Sequence, residues 1–200
     1  ELLTDAEFRR ARASALDAHY TSPVAVGAMY AALERIGFKG GRVLEPSVGI
    51  GNFFGLMPTA MRNASNLHGV ELDSLTSRMV AALYPKAKIA KATAFEDFDV
   101  PAEFFDVVIG NPPFGNTPIT DAARSQYSGF TVHNYFLAKA IDKLRPGGVM
   151  AVVVTHNFLD AADGRARKWT GQRANLVGAV RLPNTASNEN AGTSVVTDIL

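Results

Sequence analysis

Cysteine is absent from the chain, which excludes structural disulfides, thiolate zinc sites and cysteine nucleophiles. Long hydrophobic runs are also missing, because no stretch reaches the roughly 18 consecutive apolar residues that a membrane-spanning helix needs. Charge of one sign is not in excess: 20 Lys and Arg residues balance 19 Asp and Glu residues, for a net charge of +1. A nucleic-acid partner would therefore have to meet a local basic face. The four histidines are too scattered to predict a metal site.

The length of 200 residues suits one domain with a full core. We expect residues 1–38 to form helices and residues 39–200 to form an α/β core. The chain starts at Glu1 rather than Met and stops at Leu200 within an apolar run, so we expect a piece of a longer protein.

Strands alternate with helices along the sequence. The predicted helices are residues 1–20, a helix that starts after Ser22 with Pro23 at its first position, and residues 74–84, 133–144 and 165–173. Pro146-Gly147-Gly148 is predicted to close the fourth of these helices. The predicted strands are residues 42–45, 67–71, 87–92, 105–110, 149–155, 176–182 and 193–200. This order predicts a doubly wound α/β fold with a mostly parallel, seven-stranded sheet and helices on both faces.

The segment Asn111-Pro112-Pro113-Phe114 directly follows a buried strand. The prolines end the strand and stiffen the backbone, because proline cannot donate to a strand ladder. An amide oxygen, a proline carbonyl and an aromatic ring on a rigid turn can hold a planar amino group, and the carboxyl end of a strand is where open α/β sheets bind ligands. The alternative is a simple strand-ending turn, since Asn-Pro is a common turn former.

A glycine-rich turn, residues 45–53, follows the first predicted strand, and Glu71 ends the second. Gly49 and Gly51 allow the backbone to approach a nucleotide-like ligand, and an acid at the second strand end can accept hydrogen bonds from ribose hydroxyls. Phe54 stands where a third glycine would be needed to bind a pyrophosphate. The alternatives are a tight strand-to-helix connection and a solvated helix cap.

Five segments in order resemble the amino-type DNA methyltransferases, which use S-adenosylmethionine to methylate adenine N6. With the Tyr-Thr-Ser-Pro segment first, the order is similar to that of the gamma subgroup, and the match spans most of the chain. Residues 181–184 and 190–193 also resemble large phage and plasmid proteins that fuse such a domain to a helicase. The five segments are His19-Tyr20-Thr21-Ser22-Pro23, residues 44–53, residues 69–73, Ala94-Phe95-Glu96 and Asn111-Pro112-Pro113-Phe114.

The resemblance implies a Rossmann-like class I methyltransferase fold and S-adenosylmethionine as cofactor. It also implies a role for each matching residue. The residues that contact the methionine end of the cofactor would be Tyr20 and Thr21. The residues that form the floor beneath the cofactor would be Glu45, Pro46, Ser47, Gly49 and Gly51. At the nucleoside of the cofactor, Glu71 would bind the ribose hydroxyls, Leu72 would lie against the adenine, and Phe95 would stack on the adenine. The family's acid before that aromatic is replaced by Thr93 and Ala94, so Glu96 or Asp97 would have to substitute.

In the catalysis that the resemblance implies, Asn111 and Pro112 accept the two hydrogens of the adenine amino group, and Phe114 stacks on the flipped base. Pro113 completes the rigid turn. The family offers a second aromatic for the other face of the base, but residues 176–200 contain no Phe, Tyr or Trp. Phe158, after the fifth predicted strand, is the candidate replacement.

The sequence thus predicts an adenine-N6 DNA methyltransferase of the restriction-modification type, cytoplasmic and encoded by a prokaryote, phage or plasmid. Its expected partner is DNA with a flipped adenine, and a fused or associated helicase or target-recognition module would choose the site. The alternatives are an RNA guanine-N2 or protein glutamine methyltransferase, or a non-catalytic module that binds cofactor or DNA.

Overall fold

A single sheet organises the part of the chain that the computed structural model describes, residues 21–183 and 196–200. Within those residues, seven strands are joined in the spatial order β3-β2-β1-β4-β5-β7-β6. The strands are β1 (Arg42–Glu45), β2 (Asn66–Glu71), β3 (Lys88–Lys91), β4 (Phe105–Gly110), β5 (Leu144–Thr155), β6 (Val180–Arg181) and β7 (Thr197–Ile199).

Helices connect the parallel strands of this sheet. None of the helices in the described ranges is long and apolar enough to cross a bilayer. They are α1 (Pro23–Arg35), α2 (Asn52–Leu56), α3 (Thr59–Asn63), α4 (Ser74–Leu83), α5 (Val132–Lys143), α6 (Asn157–Asp160) and α7 (Arg165–Gly171), with a 3₁₀ turn at Phe95–Asp97.

The predicted doubly wound, mostly parallel sheet is confirmed. Strands β1 to β5 pair in parallel, whereas β7 runs antiparallel to both β5 and β6. Because β2, β1, β4 and β5 run in the same direction, their carboxyl ends meet at one edge of the sheet. The glycine-rich turn after β1, the acid that ends β2 and the turn after β4 are therefore brought together.

Two apolar clusters cover the two faces of the sheet. Val43 and Val107 belong to one cluster, together with α1 and α2. Their sequence neighbours Leu44 and Val108 belong to the other, together with α5 and Trp169. Since successive side chains of a strand point to opposite faces, the two clusters lie on opposite sides. The prediction of helices on both faces is confirmed.

Two predicted boundaries differ from the structure. The segment Pro146-Gly147-Gly148 lies inside the bounds of β5, which begins at Leu144 because Leu144 already pairs with Phe105. A shift in register between Phe105 and Val107 accommodates it. The predicted strand 176–182 shrinks to Val180–Arg181. Of the strand predicted at 193–200, the described part contains Thr197–Ile199, and residues 193–195 lie outside the described residues. The helix predicted for residues 1–20 lies outside the described residues.

The start of α1 follows the prediction. Ser22 caps the helix by accepting a hydrogen bond from the Ala25 N–H at 3.2 Å, and Pro23 takes the first helical position. The hydroxyl of Tyr30, on the buried side of the helix, donates to the carbonyl of Phe53 at 2.8 Å. This contact fixes α1 against α2, the short helix that follows the glycine-rich turn.

Replacing Tyr30 with Phe tests that attachment. The substitution removes the only hydroxyl of this side chain and leaves the carbonyl of Phe53 without its donor, so we expect the free energy of unfolding to fall by about 1 kcal/mol. Urea denaturation measures the change. On the same helix, Val24→Ala is the control, because Val24 is 82% exposed and its truncation should change stability by less than about 0.5 kcal/mol. Equal effects of the two substitutions would contradict the role given to the hydroxyl.

Candidate active site

The glycine-rich turn after β1 leaves room for a ligand. Gly49 and Gly51 both have left-handed backbone conformations, with φ of 52° and 84°. A Cβ atom on Gly51 would lie 2.4 Å from Cε2 of Tyr84, so only glycine fits there. Apart from its two chain neighbours, no described residue has a heavy atom within 4 Å of the Cβ position of Gly49. The turn therefore packs against Tyr84 at Gly51 and leaves space for a ligand beside Gly49.

Glu71, at the end of β2, holds this turn through its carboxylate. Its Oε2 accepts a hydrogen bond from the Gly49 N–H at 2.9 Å, and its Oε1 accepts one from the Asp73 N–H at 2.8 Å. Burial raises the pKa of Glu71, and the two N–H groups offset part of that rise. Each carboxylate oxygen can accept a second hydrogen bond, so both remain able to receive ribose hydroxyls.

Glu45, the last residue of β1, is a buried acid that lies next to the turn. It is 2% exposed, and its Oε2 has no hydrogen-bond partner among the described residues. Burial raises the pKa of Glu45 well above its ordinary value, and the charge of Glu71 raises it further. The Oγ1 of Thr21, just before α1, is likewise buried with no hydrogen-bond partner in residues 21–183 and 196–200. Buried polar atoms of this kind fit a site that a polar, positively charged ligand completes.

The turn after β4 is attached directly to the glycine-rich turn. Ser47 Oγ donates a hydrogen bond to the backbone carbonyl of Asn111 at 3.1 Å, across 64 residues of sequence. The side-chain oxygen of Asn111 is buried, and so is Pro112, whereas Pro113 is exposed. The structure thus brings the glycine-rich turn, Glu71 and the turn that carries Asn111 to one edge of the sheet.

Phe114 lies at the side of a cavity of about 540 Å³. His133, at the start of α5, meets the Phe114 ring edge-on, with the ring centroids 5.5 Å apart. Phe158, in α6, meets His133 in the same manner at 6.2 Å, and all three rings line the cavity. Phe158 and Phe114 therefore line the same cavity.

The ring of Phe95 is enclosed by its neighbours in the structure. Its ring is 2% exposed and packs against Phe98 and Phe136, with centroid separations of 6.2 and 4.8 Å. The Nζ of the fully buried Lys139 lies 5.0 Å from the centre of the ring and donates to the carbonyls of Phe95 and Glu96. Because the ring is enclosed by α5 and its neighbours, the geometry gives no support to its stacking on a cofactor adenine.

The remaining predicted residues have different surroundings. Leu72 follows Glu71 directly and is 69% exposed, so its side chain is available to cover a flat ring. Pro46 is buried beside Glu45, and Glu96 is half-buried in the 3₁₀ turn. Tyr20 lies outside the described residues.

No group of three histidine and acidic residues that could hold a metal ion occurs within the described ranges.

The polar loop between β4 and α5 contains a buried anchor that the sequence did not reveal. Asp121 accepts hydrogen bonds from the Tyr135 hydroxyl and from Arg124, the latter at 3.4 Å. Burial alone would raise its pKa, but these two partners hold the pKa of Asp121 below its ordinary value. Tyr127 is fully buried and meets Trp169 edge-on. An acid and a tyrosine in a polar loop give no periodic signal, so only the fold identifies them.

Replacing Glu45 with Gln tests the burial of this acid. A raised pKa means that the folded protein binds the Glu45 proton more tightly than the unfolded chain, so the stability that this group contributes is present at low pH and lost as pH rises through the folded pKa. Gln stays neutral, so the variant should gain stability relative to the unaltered chain as pH rises from about 4 to about 8. Chemical denaturation at several pH values measures this difference, with Glu34→Gln at an exposed position of α1 as the control. A difference that does not change with pH would contradict the assignment.

Two curated proteins are similar in sequence to most of this chain. The protein "Defense against restriction protein B" of Escherichia phage P1 is 32% identical over 187 residues, which cover 91% of this chain and 8% of the phage protein. The rRNA N(6)-adenosine-methyltransferase metl-5 of Caenorhabditis elegans is 27% identical over 176 residues, which cover 82% of this chain and 76% of that protein. The chain thus spans only a small part of the phage relative.

The fold and the family agree. A class I S-adenosylmethionine-dependent methyltransferase structure from Listeria monocytogenes superimposes with a TM-score of 0.73 at 20% identity, covering 91% of this chain and 60% of that one. The predicted class I methyltransferase fold is confirmed, and the expected cofactor, S-adenosylmethionine, agrees with this fold. The Eco57I restriction-modification methylase family matches residues 51–181, more than half of the chain, and the chain belongs to that family.

Proposed function

We propose that this chain transfers the methyl group of S-adenosylmethionine to the N6 amino group of adenine in DNA. The observation that carries the proposal is the hydrogen bond from Ser47 to the Asn111 carbonyl, since it joins the turn suited to the cofactor with the turn suited to the amino group. Membership of a restriction-modification methylase family supports DNA as the substrate.

The residues around the glycine-rich turn fit the cofactor. When bound, S-adenosylmethionine supplies a methyl group activated by a positively charged sulfur. Glu45 and Thr21 offer buried oxygens to the cationic methionine end, which would compensate the burial of the Glu45 carboxylate. Glu71 accepts the ribose hydroxyls with its remaining lone pairs, and the exposed Leu72 covers the adenine.

Asn111 and Pro112 act on the amino group of the target base. That nitrogen is a weak nucleophile because its lone pair is delocalised into the ring. The Asn111 side-chain oxygen and the Pro112 carbonyl each accept one of its hydrogens, which favours a tetrahedral nitrogen whose lone pair is available for attack. Both residues are placed by the rigid turn after β4, so the catalytic effect is one of positioning and electrostatics. Phe114 stacks on one face of the base, which has to leave the duplex to reach it.

RNA is a second candidate substrate. The observation that favours it is the similarity to a nematode rRNA adenosine methyltransferase, of which the chain covers 76%. The proposed chemistry at the amino group is the same for both nucleic acids. We further propose that a fused or associated module selects the target site, since the phage relative is much longer than the matched region.

Methyl transfer to defined substrates tests the proposed function. The chain is incubated with methyl-labelled S-adenosylmethionine and either duplex DNA free of adenine methylation, an RNA transcript of the same sequence, or protein. Digestion to nucleosides should then yield labelled N6-methyldeoxyadenosine. Label in adenosine would favour the RNA candidate, and label in guanine or glutamine would overturn the adenine assignment. Cofactor binding without transfer to any substrate would indicate a non-catalytic module.

Asn111→Ala separates catalysis from cofactor binding. Removing the amide oxygen deletes one acceptor for the amino group, so kcat/KM for DNA should fall by roughly 100- to 1000-fold. The dissociation constant for S-adenosylmethionine, measured by calorimetry, should stay within about threefold, because the backbone carbonyl that Ser47 contacts is retained. Asn63→Ala, at an exposed position at the end of α3, is the matched control and should change neither quantity. Full activity of Asn111→Ala would refute the mechanism.

A further inference from the structure

The cavity beside Phe114 has a wall of rings and little net charge. Phe114, His133 and Phe158 line it on one stretch, and Asp163 and Arg165 line it on another. The two charged residues form an ion pair with each other, with Arg165 Nη2 2.8 Å from Asp163 Oδ2. Because that pair balances its own charge, the cavity suits a flat, neutral ligand better than a phosphate.

Phe158 is held in the cavity wall by a contact from α7. Arg167 Nη1 donates a hydrogen bond to the Phe158 carbonyl at 2.9 Å, and its Nη2 donates to the Ala161 carbonyl at 2.7 Å. These two bonds tie the whole of α6 to α7. The Phe158 ring is therefore positioned by the fold, although it comes from a helix of only four residues.

His133 is the polar member of the wall. Its side chain is 5% exposed, and its Nε2 has no hydrogen-bond partner within residues 21–183 and 196–200. Burial lowers the pKa of His133 to about 4, so the imidazole is neutral near pH 7. A buried nitrogen without a partner is costly in a folded protein, and because His133 lines the cavity, an atom of a ligand bound there could supply the missing partner.

We propose that His133 reads the target base: its Nε2–H donates a hydrogen bond to a ring nitrogen of the adenine whose amino group Asn111 and Pro112 hold. Phe158 supplies the second aromatic wall of the same pocket. It comes earlier in the sequence than residues 176–200, the region in which the second aromatic of the family was expected. This inference rests on the proposed function and adds the residues that recognise the base. The ring nitrogens of adenine are acceptors, so a neutral imidazole with its proton on Nε2 matches them.

A double-mutant cycle between protein and base tests the hydrogen bond. The methylated adenine is first located by sequencing DNA that the chain has modified. Duplexes are then made with 1-deaza-, 3-deaza- or 7-deazaadenine at that position, each lacking one ring nitrogen. His133→Phe keeps a flat ring but removes the donor, and kcat/KM for the adenine duplex should fall roughly tenfold, as expected for loss of one hydrogen bond. One of the three analogues should cause a similar loss with the unaltered chain and no further loss with His133→Phe.

Two variants guard against a merely structural effect. His68→Phe replaces an equally buried histidine of β2, outside the cavity, and should leave the discrimination among the analogues unchanged. His133→Gln keeps an N–H donor and should retain part of the discrimination. Additive losses for all three analogues would overturn the role of His133 while leaving the proposed function intact. Absence of adenine methylation by the unaltered chain would overturn both.

Discussion

The parallel pairing of β1 with β4 is the constraint on which the rest of the site depends. It places the carboxyl ends of the two strands side by side, so that the turns that follow them meet. At this junction a Cβ on Gly110 would lie only 3.3 Å from Cγ of Glu45, and the glycine keeps the approach close. Ser47 then bridges the turns through the Asn111 carbonyl. The glycine-rich turn and the turn after β4 are therefore joined, and the proposed alignment of a methyl donor with its acceptor would require such a connection.

Four buried polar side chains of this molecule have two different roles. Lys139 and Asp121 are buried and satisfied, and each fixes an irregular segment to α5: Lys139 the 3₁₀ turn after β3, and Asp121 the loop before the helix. Glu45 and His133 are buried, and each has an atom without a hydrogen-bond partner among the described residues; Glu45 lies next to the glycine-rich turn, and His133 lines the cavity beside Phe114. The satisfied pair, Lys139 and Asp121, helps to specify a single packed structure. The unsatisfied pair, Glu45 and His133, leaves hydrogen bonds for the proposed substrates to complete. Helix α5 takes part in both, since it carries Lys139 and His133 on buried positions.

Local chemistry made much of this arrangement predictable from the sequence. The apolar run before Asn111 predicted β4, Ser22 and Pro23 predicted the start of α1, and the alternation of elements predicted the sheet. The features that the sequence did not reveal depend on contacts between distant residues. The burial of Phe95 is decided by α5, which lies about forty residues further along the chain. The continuation of β5 across Pro146-Gly147-Gly148 is decided by its pairing with β4. His133 carries no local signal of a ligand contact, because only the folded chain brings it to Phe114 and Phe158.

The position of β7 has a consequence for how the domain is completed during synthesis. This strand comes after β6 in the sequence but lies between β5 and β6 in the sheet, with Val152 and Leu200 exchanging two backbone hydrogen bonds of 2.9 Å. Its buried Asp198 also binds Arg181 of β6. Until residues 197–199 have left the ribosome, β5 presents an open edge and β6 has no neighbour to pair with. Exposed edges of this kind invite pairing with other chains. The sheet of the nascent chain thus remains open to misassembly until β7 is available to pair with β5 and β6.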